Sequence, residues 1–118
     1  MTLNQYQYHA MSTCLPSSKN HVYAINGLTA EVGELNDKVA KAVRKGWIKI
    51  QDNHIVTLDS CPENFWTEFY KELGDVAWFV ACLCSVGNVP LEKLCQDNVK
   101  KLASRQQRGV IDGNGDNR

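Results

Sequence analysis

The stretch Asn20–Lys45, "NHVYAINGLTAEVGELNDKVAKAVRK", decides the fold. Val22, Ile25, Leu28, Val32, Leu35, Val39 and Val43 recur at alternating threes and fours, the period of a helix with one apolar stripe. Asn20 is placed to cap the start of that helix and Gly46 to stop it. The helix also carries Glu31 and Glu34, which at a spacing of three stand about 60° apart on the flank of the stripe. Lys38 and Lys41 continue the same edge.

Working outward, "KELGDVAWF" at residues 71–79 repeats the arrangement with Glu72 and Asp75, again three apart. It lies in a helix whose stripe runs through Phe65, Phe69, Leu73, Val76 and Val80 and ends near Gly87. A short first helix is predicted over residues 3–14, stopped by Pro16, and a fourth runs from Pro90 to about Arg108. Residues 47–61 break the helical period and predict a short hairpin or an irregular insertion. The expectation is an all-α protein of four helices with that one insertion. Trp78 projects away from the stripe of its helix, which predicts that an oligomer contact covers it.

If the two long helices pack antiparallel, Glu31, Glu34, Glu72 and Asp75 converge. Four like charges in a partly apolar cleft raise one another's pKa and oppose closure unless cations join them. Oxygen-only ligands suit Mg²⁺, with Mn²⁺ as the other choice, and neither pair supplies the histidine that di-iron bundles use. The competing reading of each pair alone is a solvated, salt-bridged helix flank.

Composition bounds the rest. The 118 residues, 43% of them hydrophobic, predict one domain over residues 1–118. Thirteen basic residues balance thirteen acidic ones, so no global positive field exists to hold nucleic acid. No window approaches a membrane span and the start lacks the pattern of a signal peptide, so a cytoplasmic protein without membrane contact is expected. Five cysteines without a C-x-x-C read as reduced thiols. "DGNGD" at residues 112–116 lacks the glutamate that closes a calcium loop. The glycine-rich residues 109–118 are expected to be a flexible tail, or a segment that folds over a phosphate with Arg108 or Arg118 reaching an oxygen.

Together, Ala30-Glu31-x-x-Glu34, Glu72-x-x-Asp75, Tyr6-Gln7 and the later "NVKKLASRQQRGVIDGNGDNR" resemble the MazG-like all-α nucleoside triphosphate pyrophosphohydrolases. That superfamily includes the dimeric dUTPases and the phosphoribosyl-ATP pyrophosphohydrolases. The likeness spans most of the chain outside residues 47–61. Two features depart from its pattern: alanine at position 30, where a glutamate is common, and a long spacer between Glu34 and Glu72.

The resemblance implies a four-helix bundle completed by oligomerisation, as a homodimer or homotetramer. It implies that Glu31, Glu34, Glu72 and Asp75 hold Mg²⁺ and that a nucleoside triphosphate is cut at its α-phosphate to a monophosphate and pyrophosphate, in nucleotide-pool cleaning. Glu34 is the expected general base. Asn98, Lys101 and Arg105, from N-x-x-K-L-x-x-R, are the expected substrate contacts, with Arg118 from the tail. The alternative is a non-catalytic homo-oligomeric helical module that keeps the fold.

Overall fold

The computed structural model describes residues 1–118. Its order is α1 (Leu3–Ser12), a 3-10 turn (Pro16–Ser18), α2 (His21–Arg44), β1 (Ile48–Gln51), β2 (His54–Thr57), α3 (Phe65–Val86) and α4 (Leu91–Gln107). The protein is therefore all-α with one hairpin, as its periodicity predicts. The Asn20 side chain accepts a hydrogen bond from the Tyr23 amide at 2.8 Å, giving α2 the cap expected of it. Gly46, at φ 70°, turns the chain away after α2.

The insertion resolves into an antiparallel hairpin in which Gln51 faces His54. Its two turn residues, Asp52 and Asn53, sit at φ 51° and 63°, the left-handed pair that a two-residue turn between right-twisted strands requires. Ile48 then packs with Ala42 of α2 and Phe65 of α3, tying the C-terminal end of α2 to the start of α3. At the opposite end of the α2–α3 pair, Ala10, Ala81, Cys84 and Leu91 join α1, α3 and α4. The first cluster thus fastens α2 to α3 at one end, and Phe79, seated on Gly27 and against Tyr23, holds them at the other, with the acidic residues in the span between.

α1 serves as a brace. Gln7 donates to Ser85 Oγ and to the Val89 carbonyl, both at 3.0 Å, and accepts from the Leu91 amide at 2.7 Å. Asn4 accepts from the Glu92 amide. These two side chains cap α4, which has Pro90 in the cap position and no side-chain cap of its own. Trp78 is a correction. Its indole N–H donates to the Ala10 carbonyl and to Thr13 Oγ1, and its ring packs against the cluster that α1 forms with α3. The face opposite the α3 stripe is covered by α1, so Trp78 needs no partner chain.

All five cysteines are free thiols, and burial is the main cause pushing Cys82 up to about 11. No single helix is long and apolar enough to cross a membrane. The stripe of α2 is only partly covered: Val22 is 70% exposed and Ile25, Val32 and Val43 are about half exposed. The radius of gyration is 17.7 Å, against roughly 13–14 Å for a compact chain of this length.

Candidate metal and nucleotide site

Glu31 on α2 meets Glu72 and Asp75 on α3 because the helices run antiparallel and each acid stands on the flank facing the other helix. One carboxylate oxygen from each of the three lies within 4.8 Å of the others. Octahedral oxygen ligands about 2.1 Å from a Mg²⁺ ion stand roughly 3–4 Å apart, so small side-chain rotations bring this trio to ligand spacing. The donor set is oxygen alone, which suits a hard divalent ion.

The electrostatics carry the same message. Glu31 is held above the usual carboxylate range by burial and by the charges of Glu34, Asp75 and Glu72. Tyr6, reaching in from α1, is likewise raised by burial and by Asp75. One internal cation relieves part of this repulsion: Lys38 Nζ stands 3.2 Å from Glu72 Oε1. Like charges crowded on two helices, with an ammonium drawn against one of them, describe a place that favours further positive charge.

Glu34 falls outside the trio. It is exposed and lines an adjoining 350 Å³ cavity with Asp37, Lys38, Lys41 and Glu72. The four acids predicted to converge thus divide into a close trio and a neighbour one turn further along α2. Lys38 reads from the sequence as solvated edge, and only the structure reveals its pairing across to α3.

The four cationic and amide positions predicted to contact substrate are not gathered at these acids within one chain. α4 leaves α3 at 102°, and its Lys101 and Arg105 are engaged by Asp116 of the tail. Arg105 is buried and donates to the Asp116 carboxylate at 3.1 Å and to its carbonyl at 3.0 Å. Lys101 lies 3.5 Å from the same carboxylate, and the two cations hold Asp116 below the usual range, with the Arg105 hydrogen bond the largest cause. Arg118 curls back so that its guanidinium donates to the carbonyls of Val110, Ile111 and Gly115. The tail, read from the sequence as a flexible end or a phosphate flap, is here wrapped around its own arginines.

A profile of the MazG nucleotide pyrophosphohydrolase domain matches residues 19–110. The chain belongs to the MazG family. The matched span runs from the cap of α2 to the start of the tail, so it contains both acidic pairs and all of α4. The Gene 37 protein of Mycobacterium phage L5 is 40% identical over 97 residues, which cover 81% of this chain and 75% of that protein. No solved structure matches the chain significantly. Membership makes the chain a relative of pyrophosphohydrolase-type hydrolases, a family typically dependent on divalent metal. Glu31, Glu72 and Asp75 are the acids of this chain grouped at a spacing that a metal ion could bridge.

Proposed function

We propose that this MazG-family protein is a Mg²⁺-dependent nucleoside triphosphate pyrophosphohydrolase that releases a nucleoside monophosphate and pyrophosphate. The observation that carries the reading is the trio of Glu31, Glu72 and Asp75, gathered from two helices against their mutual repulsion. Those three residues would hold the divalent ion. When bound, it supplies charge neutralisation of the triphosphate and a Lewis acid beside the reacting phosphorus.

The remaining chemistry falls to side chains. Water attacks the α-phosphorus in line with the bond to the β-phosphate oxygen, and that bond breaks as the new P–O bond forms. Glu34, exposed and one turn from Glu31, takes the proton from the attacking water. Tyr6, kept protonated by burial and by Asp75, can donate a hydrogen bond at the edge of the same site.

A homo-oligomer belongs to the same proposal. The chain exposes 8405 Å², about 2,000 Å² more than a compact 13.3 kDa monomer would. An excess of that size matches the surface that one subunit of an obligate assembly hides. The partly bare stripe of α2 and Val99 and Leu102 on α4 supply apolar area for it. In such an assembly α4 of one subunit can bring Asn98 and Lys101 to another subunit's acids.

Pyrophosphate release, measured over a panel of ribo- and deoxyribonucleoside triphosphates with and without Mg²⁺, tests the function. The expected result is metal-dependent release of equimolar monophosphate and pyrophosphate from at least one nucleotide. Absence of turnover across the panel would leave the helical binding module as the better description.

A further inference from the structure

The acids stand in the middle of a longer groove. Along α2, positions 23, 26, 27, 30, 34, 38 and 41 follow one another at threes and fours, or side by side, and so share one strip of the helix surface. A cavity opens on this strip at either side of the acidic trio, and the two differ completely in chemistry. The cavity toward the C-terminal end of α2 is lined only by charged residues, Lys38 and Lys41 with the carboxylates of Glu34, Asp37 and Glu72. The cavity toward the N-terminal end, of 480 Å³, contains no charged side chain. Its walls include Asn20, Tyr23, Asn26, Gly27, Ala30 and Phe79.

Four details of the uncharged cavity point to an aromatic, hydrogen-bonding occupant. The exposed ring of Tyr23 packs tilted against the buried Phe79, their centres 5.6 Å apart, and so offers an aromatic wall. Phe79 lies directly on the backbone of α2, since a Cβ on Gly27 would come within 2.0 Å of its ring, and it stands one turn after Asp75. The Asn26 side-chain amide is exposed and makes no hydrogen bond within the protein, so its donors and acceptor are free. Ala30, next to Glu31, keeps the wall nearest the acids small and neutral.

We propose that the substrate nucleotide lies along this strip in one polarity, with its base and sugar against the exposed Tyr23 and Asn26, beside Phe79, and its pyrophosphate end at Lys38 and Lys41. The inference rests on the nucleotide-hydrolase reading and assigns the two halves of the substrate to opposite ends of α2. From Asn26 to Lys38 is twelve residues, roughly 18 Å of helix, the order of length of an extended nucleoside triphosphate. The opposite polarity would set phosphates against neutral aromatic walls and a base among charges, which desolvation opposes at both ends. Lys38 and Lys41 now pair with Glu72 at 3.2 Å and Asp37 at 2.7 Å, and phosphate oxygens are their replacement partners in the complex.

Calorimetric titration of the full-length protein with two products, each with Mg²⁺ present, reads the polarity without requiring turnover. The probes are inorganic pyrophosphate and the nucleoside monophosphate of the best substrate. Asn26→Ala and Ala30→Leu, both at exposed positions, should weaken monophosphate binding roughly three- to tenfold while leaving pyrophosphate binding within about twofold. Lys41→Met, and Lys38→Met as a second variant, should weaken pyrophosphate binding about tenfold or more and leave the monophosphate nearly unchanged. The reversed pattern, or equal effects at both ends, would overturn the polarity. Wild type that binds both products with this pattern but hydrolyses no nucleotide would refute the enzymatic reading and keep the groove; wild type that binds neither would refute both.

Discussion

Gly27→Ala offers a sharp test of how α2 meets α3. In a helix interior, alanine is favoured over glycine by about 1 kcal/mol, so on propensity alone the change stabilises. At Gly27, however, the new methyl would stand 2.0 Å from Phe79 Cε1, 2.3 Å from Cζ and 2.6 Å from Cδ1, where carbon contacts settle near 3.5–4.0 Å. Phe79 is buried, with Trp78 and Tyr23 against it at ring-centre distances of 4.9 and 5.6 Å, so it must move more than an ångström within packed surroundings. Overpacking of this kind costs about 1–3 kcal/mol. Gly33→Ala is the matched control, because nothing lies within 4 Å of its added methyl. The propensity gain is common to both variants, so their difference isolates the clash. Urea unfolding at one fixed protein concentration should place Gly27→Ala about 1–3 kcal/mol below Gly33→Ala, with Phe79→Leu restoring part of the loss in the double variant. Equal stability of the two glycine variants would refute the close seating of Phe79 on α2.

Asp75→Asn should lower hydrolysis by about a hundredfold or more, roughly 3 kcal/mol of barrier, while the melting temperature without metal stays level or rises; near-normal turnover would remove Asp75 from the site. Glu31 titrates above its ordinary value in the folded state, so its contribution to stability is fully present below its unfolded pKa and lost as pH rises through the folded one. Metal-free protein should accordingly melt lower as pH climbs through that window, and Glu31→Gln should flatten the profile, as melting scans in chelator would show. Mixing inactive Glu34→Gln with inactive Lys101→Ala subunits should restore activity to about a quarter of wild type, because random pairing in a twofold dimer leaves that share of sites with both residues intact. Failure to complement, with subunit exchange confirmed by mass spectrometry, would return Lys101 to its own chain's tail.

The parts of this structure legible in the sequence are those set by local periodicity and turn chemistry. Asn20 and Gly46 bound α2 as their types require, and "QDNH" between two apolar runs is a hairpin because Asp52 and Asn53 tolerate positive φ. The acidic pairs were legible as flanking residues, and antiparallel packing brings three of the four together. What periodicity lacks is the direction of neighbouring elements. It shows Trp78 off the α3 stripe but not that α1 lies on that side, with Ala10 and Thr13 waiting for the indole. It shows a break at Gly87–Pro90 but not the 102° turn that sends Lys101 away from the acids. The burial of Arg105 depends on a tail residue eleven positions later, and no local pattern announces that.

The placement of two apolar contacts between α2 and α3 explains how a chain this small tolerates the trio at all. Ala42, Ile48 and Phe65 fasten one end of the α2–α3 pair, and Phe79, seated on Gly27 and against Tyr23, fastens the other. Between these fastenings Glu31, Glu72 and Asp75 repel, and only Lys38 answers them from within the chain. The stability of the helix pair and its affinity for cations are therefore two readings of one free energy. Whatever repulsion the fold holds when empty is released when a divalent ion binds, so the ion should stabilise the protein by RT ln(1 + [Mg²⁺]/Kd), beyond any gain in activity. Alanine at position 30 keeps a further carboxylate out of this region. That limits the repulsion the two contacts must withstand, and it leaves the uncharged end of the groove next to the trio.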